Sequence, residues 1–412
     1  MRKRSEKNEL IASIMFTLFM IVLMELGRQI AIPALDSDLS RKALNASPLL
    51  RNVTMLTGGG QSRFPSLFSI GLGPYMTGMI LFQAIQLINV DAMSKISDQK
   101  RGFIQRWITL IIAILQTLQF IFAIRKNITL AGDKIFGFDF NLVVSFMILV
   151  AGAMIVAWMS DMTAKFGVGG AGVLIMPGII TNLPLMVFRG PGLGTNQITS
   201  FSTNLWIALG ISVLVVFVAT VFFNKAELRI PLQRPNVQND FSESYLPIRF
   251  LTSGSMPFMF TTTVFMIPSY IANFSPDSGF SRFTQAYINF NNPVGITIYC
   301  GVVVFLSYAF SFMNLQTERQ AENLKKSGDY IFGITPGKDT QRYLNHHVVR
   351  LSTAANGYFL VVVATPLIIG LYVPGVTNFT FAYASILILV TIMDTTLDQL
   401  KTMYLRTQYD LL

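Results

Sequence analysis

Uncharged apolar runs recur along the whole chain at the length of a bilayer crossing. An α-helix needs about 20 mostly apolar residues to span a membrane. Ten runs meet that pattern: Leu10–Leu26, Gly71–Ile88, Trp107–Ile124, Phe140–Met159, Val173–Val187, Leu205–Phe223, Ser255–Ile271, Val294–Phe312, Leu351–Tyr372 and Phe379–Thr396. The last two come from one uncharged stretch, Leu351 to Met393, which Pro374-Gly375 breaks with a turn. The first run follows "MRKRSEKNEL", as the core of a signal peptide would. It ends in "ELGRQ" without a small-residue cleavage site, so it reads as a retained first span. The expected architecture is an all-α polytopic membrane protein with ten transmembrane helices.

Two of these runs begin badly for a helix. The second opens "FSIGLGPYMTGMILFQ" (Phe68–Gln83), with Gly71, Gly73 and Pro74 at its mouth. The seventh opens Met256-Pro257-Phe258-Met259, so both place Pro, an aromatic residue and Met consecutively near the start. They lie five spans apart, an odd number, so a repeat would be inverted in the membrane. Inverted repeats with interrupted helices place a pathway at the interface of two halves. The halves would be residues 1–190, with spans one to five, and 204–412, with spans six to ten. Pro and Met are common in such helices, so chance also explains the echo. Ahead of the second span, "SPLLRNVTMLTGGGQSRF" offers Ser47 as a cap, Pro48 at the first helical position and Gly58 as a stop. That leaves about nine helical residues, roughly 14 Å, too short to span. Such a piece suits a movable stopper in a water-filled cavity, or an ordinary external loop.

Composition sharpens the class. The chain is 52% hydrophobic and only 13% charged, against roughly a quarter charged in soluble proteins. Its net charge is +10. The loops on the side of the termini hold 21 of the 31 Lys and Arg residues, which puts both termini in the cytoplasm. Two long excursions face that side, Asn224–Thr252 and Met313–Arg350; loops of this length are unusual unless they bind something, and the plainer reading of each is a solvated connector. Cys300 stands alone, so no disulfide framework exists.

The candidate chemistry fails test by test. Gly167-Val-Gly-Gly-Ala-Gly172 fits GxGxxG but follows an apolar helix rather than a strand. "GITPGKD" (Gly333–Asp339) has the wrong spacing for a phosphate loop. His346 and His347 are adjacent, a poor spacing for a metal. No catalytic residue, metal site or cofactor is expected. A small-solute transporter coupled to an ion gradient would show ionisable residues in mid-span. Here Glu25 and Asp394 are the main candidates, both near span ends, and Glu25 has Arg28 three residues on as a partner. A transporter, and an insertase that opens only sideways, stay as alternatives.

Several stretches resemble SecY, the channel of the bacterial protein translocon. Phe68–Gln83 is similar to the start of its second helix, "IPLQRP" with "YLPIRF" to its fourth cytoplasmic loop, Ala321–Asn345 to its fifth, and "SILILVTIMD" to its tenth helix. The resemblance implies two five-helix halves with an hourglass pore between them. It places an apolar pore ring at Leu72, Met76, Met259 and Leu387, with Ile175 or a position near Ala171 or Gly172 in the fifth span. It implies a lateral gate with Thr77 and Gln83 on one side and Thr263 and Ile267 on the other. The plug would carry Pro48, Leu49, Leu50, Val53, Met55 and Leu56 within residues 47–60. Implied partners are an exported preprotein, membrane lipid and a SecA-type motor ATPase, docking through Arg229, Arg234, Thr335, Lys338 and Arg342; small SecE- and SecG-like subunits are left open. The implied location is the bacterial cytoplasmic membrane.

The departures from the family pattern are specific. Thr335 stands where the family has arginine in Ile-Arg-Pro-Gly, and the loop at 224–252 has a net charge of only +1. Docking to the anionic RNA of a ribosome rests on basic contacts, so no nucleic-acid partner is expected. Together with a first-span Glu25 in place of arginine, these traits resemble the accessory SecY of Gram-positive bacteria. That form works with a second SecA and exports serine-rich glycosylated adhesins.

Overall fold

The computed structural model describes residues 2–32, 66–88, 97–125, 134–135, 138–189, 203–234, 244–274, 278–288, 290, 292–373 and 376–409 of the chain. In chain order the elements are α1 (Arg2–Gln29), α2 (Gly73–Ile88), α3 (Asp98–Arg125), the short strands β1 (Lys134–Ile135) and β2 (Phe138–Asp139), and α4 (Phe140–Phe166). A 3-10 turn at Gly170–Leu174 leads into α5 (Met176–Arg189), followed by α6 (Thr203–Lys225), β3 (Glu227–Pro231), β4 (Tyr245–Arg249) and α7 (Met256–Phe274). Then come α8 (Gly279–Tyr287), α9 (Pro293–Leu315), α10 (Thr317–Ser327), α11 (Lys338–Tyr372) and α12 (Asn378–Tyr409). Each of the ten apolar runs falls on one of these helices. Among the described residues, seven helices are long and apolar enough to cross a membrane. The remaining runs lie on α2, α5 and α7, and the broken patterns mark two of these, α2 and α7.

Several helices overrun their apolar runs. α3 begins at Asp98 rather than Trp107, α11 at Lys338 rather than Leu351, and α12 continues past Thr396 to Tyr409. Hydropathy stops where charges begin, but backbone hydrogen bonding does not. Lys, Arg, Gln and Glu are good helix formers, so the helices continue past the apolar window.

The chain forms two compact units, Met1–Ser200 together with Thr391–Leu412, and Phe201–Val390. In the first, α2 packs on α3, α3 on α4, and α4 on α1. α2 and α3 come so close that a Cβ on Gly78 would collide with Thr109. The buried Arg28 at the end of α1 donates to Glu25 at 2.8 Å and to the Leu174 carbonyl at 3.3 Å. The expected Glu25–Arg28 pair therefore forms, and it also pins the start of the fifth span. The glycine-rich stretch after α4 is held by Val168 N donating to Thr17 Oγ1 at 2.8 Å and Gly169 N to Gln399 Oε1 at 2.7 Å. Gly169 and Gly170 take positive φ there, a conformation glycine adopts without strain.

The second unit has an aromatic core. Phe258 of α7 meets Phe359 of α11 edge-on, and Phe290 touches Phe265, Tyr299 and Phe381. Such offset and edge contacts add about 0.5–1.5 kcal/mol per pair beyond the area buried. Hydroxyl pairs between helices, Thr220 with Tyr358 and Ser212 with Tyr383, satisfy polar groups that have no water to turn to in lipid.

Candidate functional site

The mouth of α2 is a buried turn rather than a frayed helix end. Ser66–Leu72 are almost entirely buried. Ser66 N donates to Ser69 Oγ at 2.6 Å, Gly71 N to Phe68 O at 2.9 Å, and Leu67 N to Ile30 O at 2.9 Å. Gly71 has φ +62°, which glycine adopts without strain. Two glycines of neighbouring helices make room for the turn. A Cβ on Gly27 would strike the Phe68 ring, and one on Gly152 would strike the Leu67 carbonyl. The broken backbone thus keeps its hydrogen bonds and is covered by protein.

The start of α7 repeats this construction. Gly254 lies three residues before Pro257, as Gly71 does before Pro74. Its φ is +61°, and its N–H bonds Leu251 O at 2.9 Å. Tyr75 and Phe258 follow the prolines and are buried, as are Met76 and Met259 after them. The echo read from a Pro-aromatic-Met pattern extends to backbone conformation.

Each residue assigned to the pore ring is buried, with Leu72, Met76 and Ile175 in the first unit and Met259 and Leu387 in the second. Leu72 and Met76 are joined through the first turn of α2, Met76 N donating to Leu72 O at 3.0 Å. Gly172 meets Ile392, while Ala171 is half-buried beside it in the 3-10 turn. On the gate, Thr77 is half-buried and its hydroxyl donates to Gly73 O at 2.8 Å, and Gln83, about 120° around the same helix, is also half-buried. The side chains of Thr263 and Ile267 lie outside the described residues, as do Pro48, Leu49, Leu50, Val53, Met55 and Leu56 of the plug segment.

The described residues of the two long loops, read separately from the sequence, form one packed body. β3 and β4 pair antiparallel, with Leu228 opposite Ile248 and Ile230 opposite Leu246. Alternation then turns Leu228, Ile230, Leu232, Leu246 and Ile248 to one face. That face closes on Leu324 of α10, Ile331, and Leu344 of α11. Gln233 and Tyr330 exchange backbone hydrogen bonds at 2.8 and 3.1 Å, tying one loop to the other. Gly328, with φ +78°, ends α10, and Asp329 N reaches back to Leu324 O at 3.0 Å, a Schellman closure. The turn that follows presents Phe332, which is 81% exposed.

This platform sorts the five residues assigned to motor docking. Thr335, Lys338 and Arg342 are exposed, as is Phe332 a few residues before them in the chain, and no carboxylate pairs with Lys338 or Arg342 among the described residues. The Thr335 hydroxyl bonds Asp339, an acid in the first turn of α11 where the helix dipole favours it. Arg229 and Arg234, by contrast, are engaged locally. Arg229 pairs with Glu227 at 2.7 Å and lies over the Tyr245 ring, and Arg234 faces Asp329 at 3.6 Å. The hydrogen bond that Arg229 Nε donates to Glu227 holds the Arg229 pKa above its ordinary value. Sequence reasoning missed Phe332 and the shared core. The alternation in "ELRIPLQ" and "YLPIRF" carried the signal for the hairpin. It also missed a polar group on α2, α3 and α4: Tyr75, Arg106 and Asp161 line one pocket, with Arg106 and Asp161 3.8 Å apart. Among the described residues no group of acids, histidines or cysteines could hold a metal ion.

The chain is 31% identical over 408 residues to the accessory Sec system protein translocase subunit SecY2 of Leuconostoc gelidum, covering 97% of this chain and 96% of that one. It is 29% identical to the SecY2 of Streptococcus oralis, covering 96% of each. A solved protein-conducting channel superposes with a TM-score of 0.62 at 15% identity, over 97% of this chain and 93% of the other, which shows a common fold. The profile of the SecY family matches residues 66–397, most of the chain, and with it the chain belongs to the SecY family of protein-translocation channel subunits.

Proposed function

We propose that this chain is the pore subunit of an accessory translocase, passing unfolded polypeptide across the bacterial cytoplasmic membrane while a cytosolic SecA-type motor supplies the work. The observation that carries this reading is the match to SecY2 proteins over nearly the whole chain. Cargo would pass the apolar ring of Leu72, Met76, Ile175, Met259 and Leu387. Apolar side chains at a constriction block ions by excluding water. Methionine is flexible enough to reshape around varied sequences. The plug segment, the gate residues Thr77, Gln83, Thr263 and Ile267, and the halves 1–190 and 204–412 belong to the same proposal.

The platform of β3, β4, α10 and the start of α11 is the proposed seat of the motor, with Phe332, Lys338 and Arg342 as its forward contacts. The net charge of only +1 on residues 224–252 fits a protein partner better than ribosomal RNA. Thr335 in place of arginine fits a dedicated second SecA, and serine-rich glycosylated adhesins are the proposed cargo. SecE- and SecG-like subunits would complete the assembly.

The test is site-specific photocrosslinking. A probe replaces Met76 or Met259 while an exported chain is stalled by a folded tag. Both positions should crosslink to the cargo, and a probe at the lipid-facing Phe305 should not. Intact export with no crosslink at either methionine would overturn the channel reading.

A further inference from the structure

α8 has the polarity of a soluble helix turned inside out. Its small polar residues Ser281 and Thr284 are each 1% exposed, while Phe280, Phe283 and Tyr287 are 46%, 50% and 42% exposed. A helix in water buries its aromatics and exposes its hydroxyls. The exposed rings cannot be fraying, because the helix is fixed at both ends. Ser278 caps it, accepting from Ser281 N at 3.2 Å, and Asn292 Nδ2 donates to Ala286 O at 2.9 Å, binding its end to the cap of α9. It also packs along α7.

At about 100° per residue, Phe280, Phe283 and Tyr287 fall within about 60° of the helix circumference. Arg282 lies about 100° from Phe283 on the open side, and it is exposed. The rings of Phe283 and Tyr287 touch at 5.0 Å, so the aromatics form one continuous edge. On α9, whose N-cap Asn292 makes that bond, Val294, Ile298 and Phe305 are also exposed, and this helix is long and apolar enough to cross a membrane.

We propose that α8 lies in the membrane interface, with Phe280, Phe283 and Tyr287 inserted at the boundary between headgroups and acyl chains and Arg282 among the phosphates. Phospholipid is the occupant, because α8 is bonded to the first end of a membrane-crossing helix and carries the residue types that concentrate at membrane interfaces. In the proposed orientation this is the outer leaflet. The helix then acts as a foot that fixes the outer end of α7, whose other end carries Met259. This reading stands whether or not the chain conducts polypeptide.

The experiment is nitroxide scanning of the full chain in phosphatidylethanolamine–phosphatidylglycerol vesicles, in a Cys300→Ser background. Labels at positions 280, 283 and 287 should collide with oxygen, which dissolves in lipid, more than with a water-soluble nickel chelate. Labels at 282 and 286 should reverse that ratio. Two outcomes overturn the proposal. One is nickel access equal at all five positions, meaning the aromatic edge faces water. The other is shielding of 280, 283 and 287 from both reagents, meaning protein covers it.

Discussion

At the scale of single residues, the break before α2 is built as much by distant glycines as by its own. Gly71 supplies the positive φ, but Gly27 and Gly152 supply the space. The local signal was legible, since Gly71, Gly73 and Pro74 marked a broken span. The partners were not, because Gly152 sits in an unbroken apolar helix where it costs roughly 0.5–1 kcal/mol relative to alanine and shows no pattern. Gly152→Ala should therefore destabilise. Its Cβ meets the Leu67 backbone carbonyl rather than a side chain that could swing away. Overpacking of this kind costs about 1–3 kcal/mol. Thermal unfolding of the purified protein should show a lower midpoint for Gly152→Ala. Gly210→Ala, at a helical glycine with open space around it, should match or exceed the parent. Equal midpoints for the two variants would refute the close-packing account.

At the scale of elements, the same device opens two helices of different units. A turn bonded Gly N–H to the residue three back, a glycine near +60°, proline three residues on, then a buried aromatic and a buried methionine recur at Phe68–Met76 and Leu251–Met259. The sequence pattern exposed only the last part, because Gly71 and Gly254 have different neighbours and nothing in their residue types announces φ. The platform was half legible for a related reason. Alternation within each strand is local, whereas the closure of Leu228–Leu232 and Leu246–Ile248 on Leu324, Ile331 and Leu344 joins segments about a hundred residues apart. The fully buried Leu344 is the point of greatest leverage. Leu344→Ala removes a core side chain at about 2–5 kcal/mol, depending on how far the site collapses. Limited proteolysis should then cut near Tyr330–Gly337 faster, with the spans unaffected, and motor binding should fall. Lys338→Glu with Arg342→Glu should reduce motor binding without faster cleavage. That separation distinguishes a docking contact from a structural support; unchanged binding in both variants would remove the platform as the docking seat.

At the scale of the whole molecule, crossings were legible because lipid forces them to be. A bilayer admits helices whose backbone bonds are internal, so apolar length alone finds them. The ends were less legible, since α3, α11 and α12 continue into charged sequence that no hydropathy window includes. The charge bias of the loops carries a further, independent statement about orientation. With 21 of the 31 cations on one side, a membrane that holds positive loops in the cytoplasm places α10 and the platform inside and α8 outside. Cysteine labelling separates this from its reverse. In a Cys300→Ser background, a membrane-impermeant thiol reagent should modify Gly279→Cys in intact cells and Lys326→Cys only after lysis. Both positions are exposed, so a missing signal reflects the membrane and not burial. Labelling of Lys326→Cys in intact cells, with Gly279→Cys silent, would invert the topology and place the platform where no cytosolic motor could reach it.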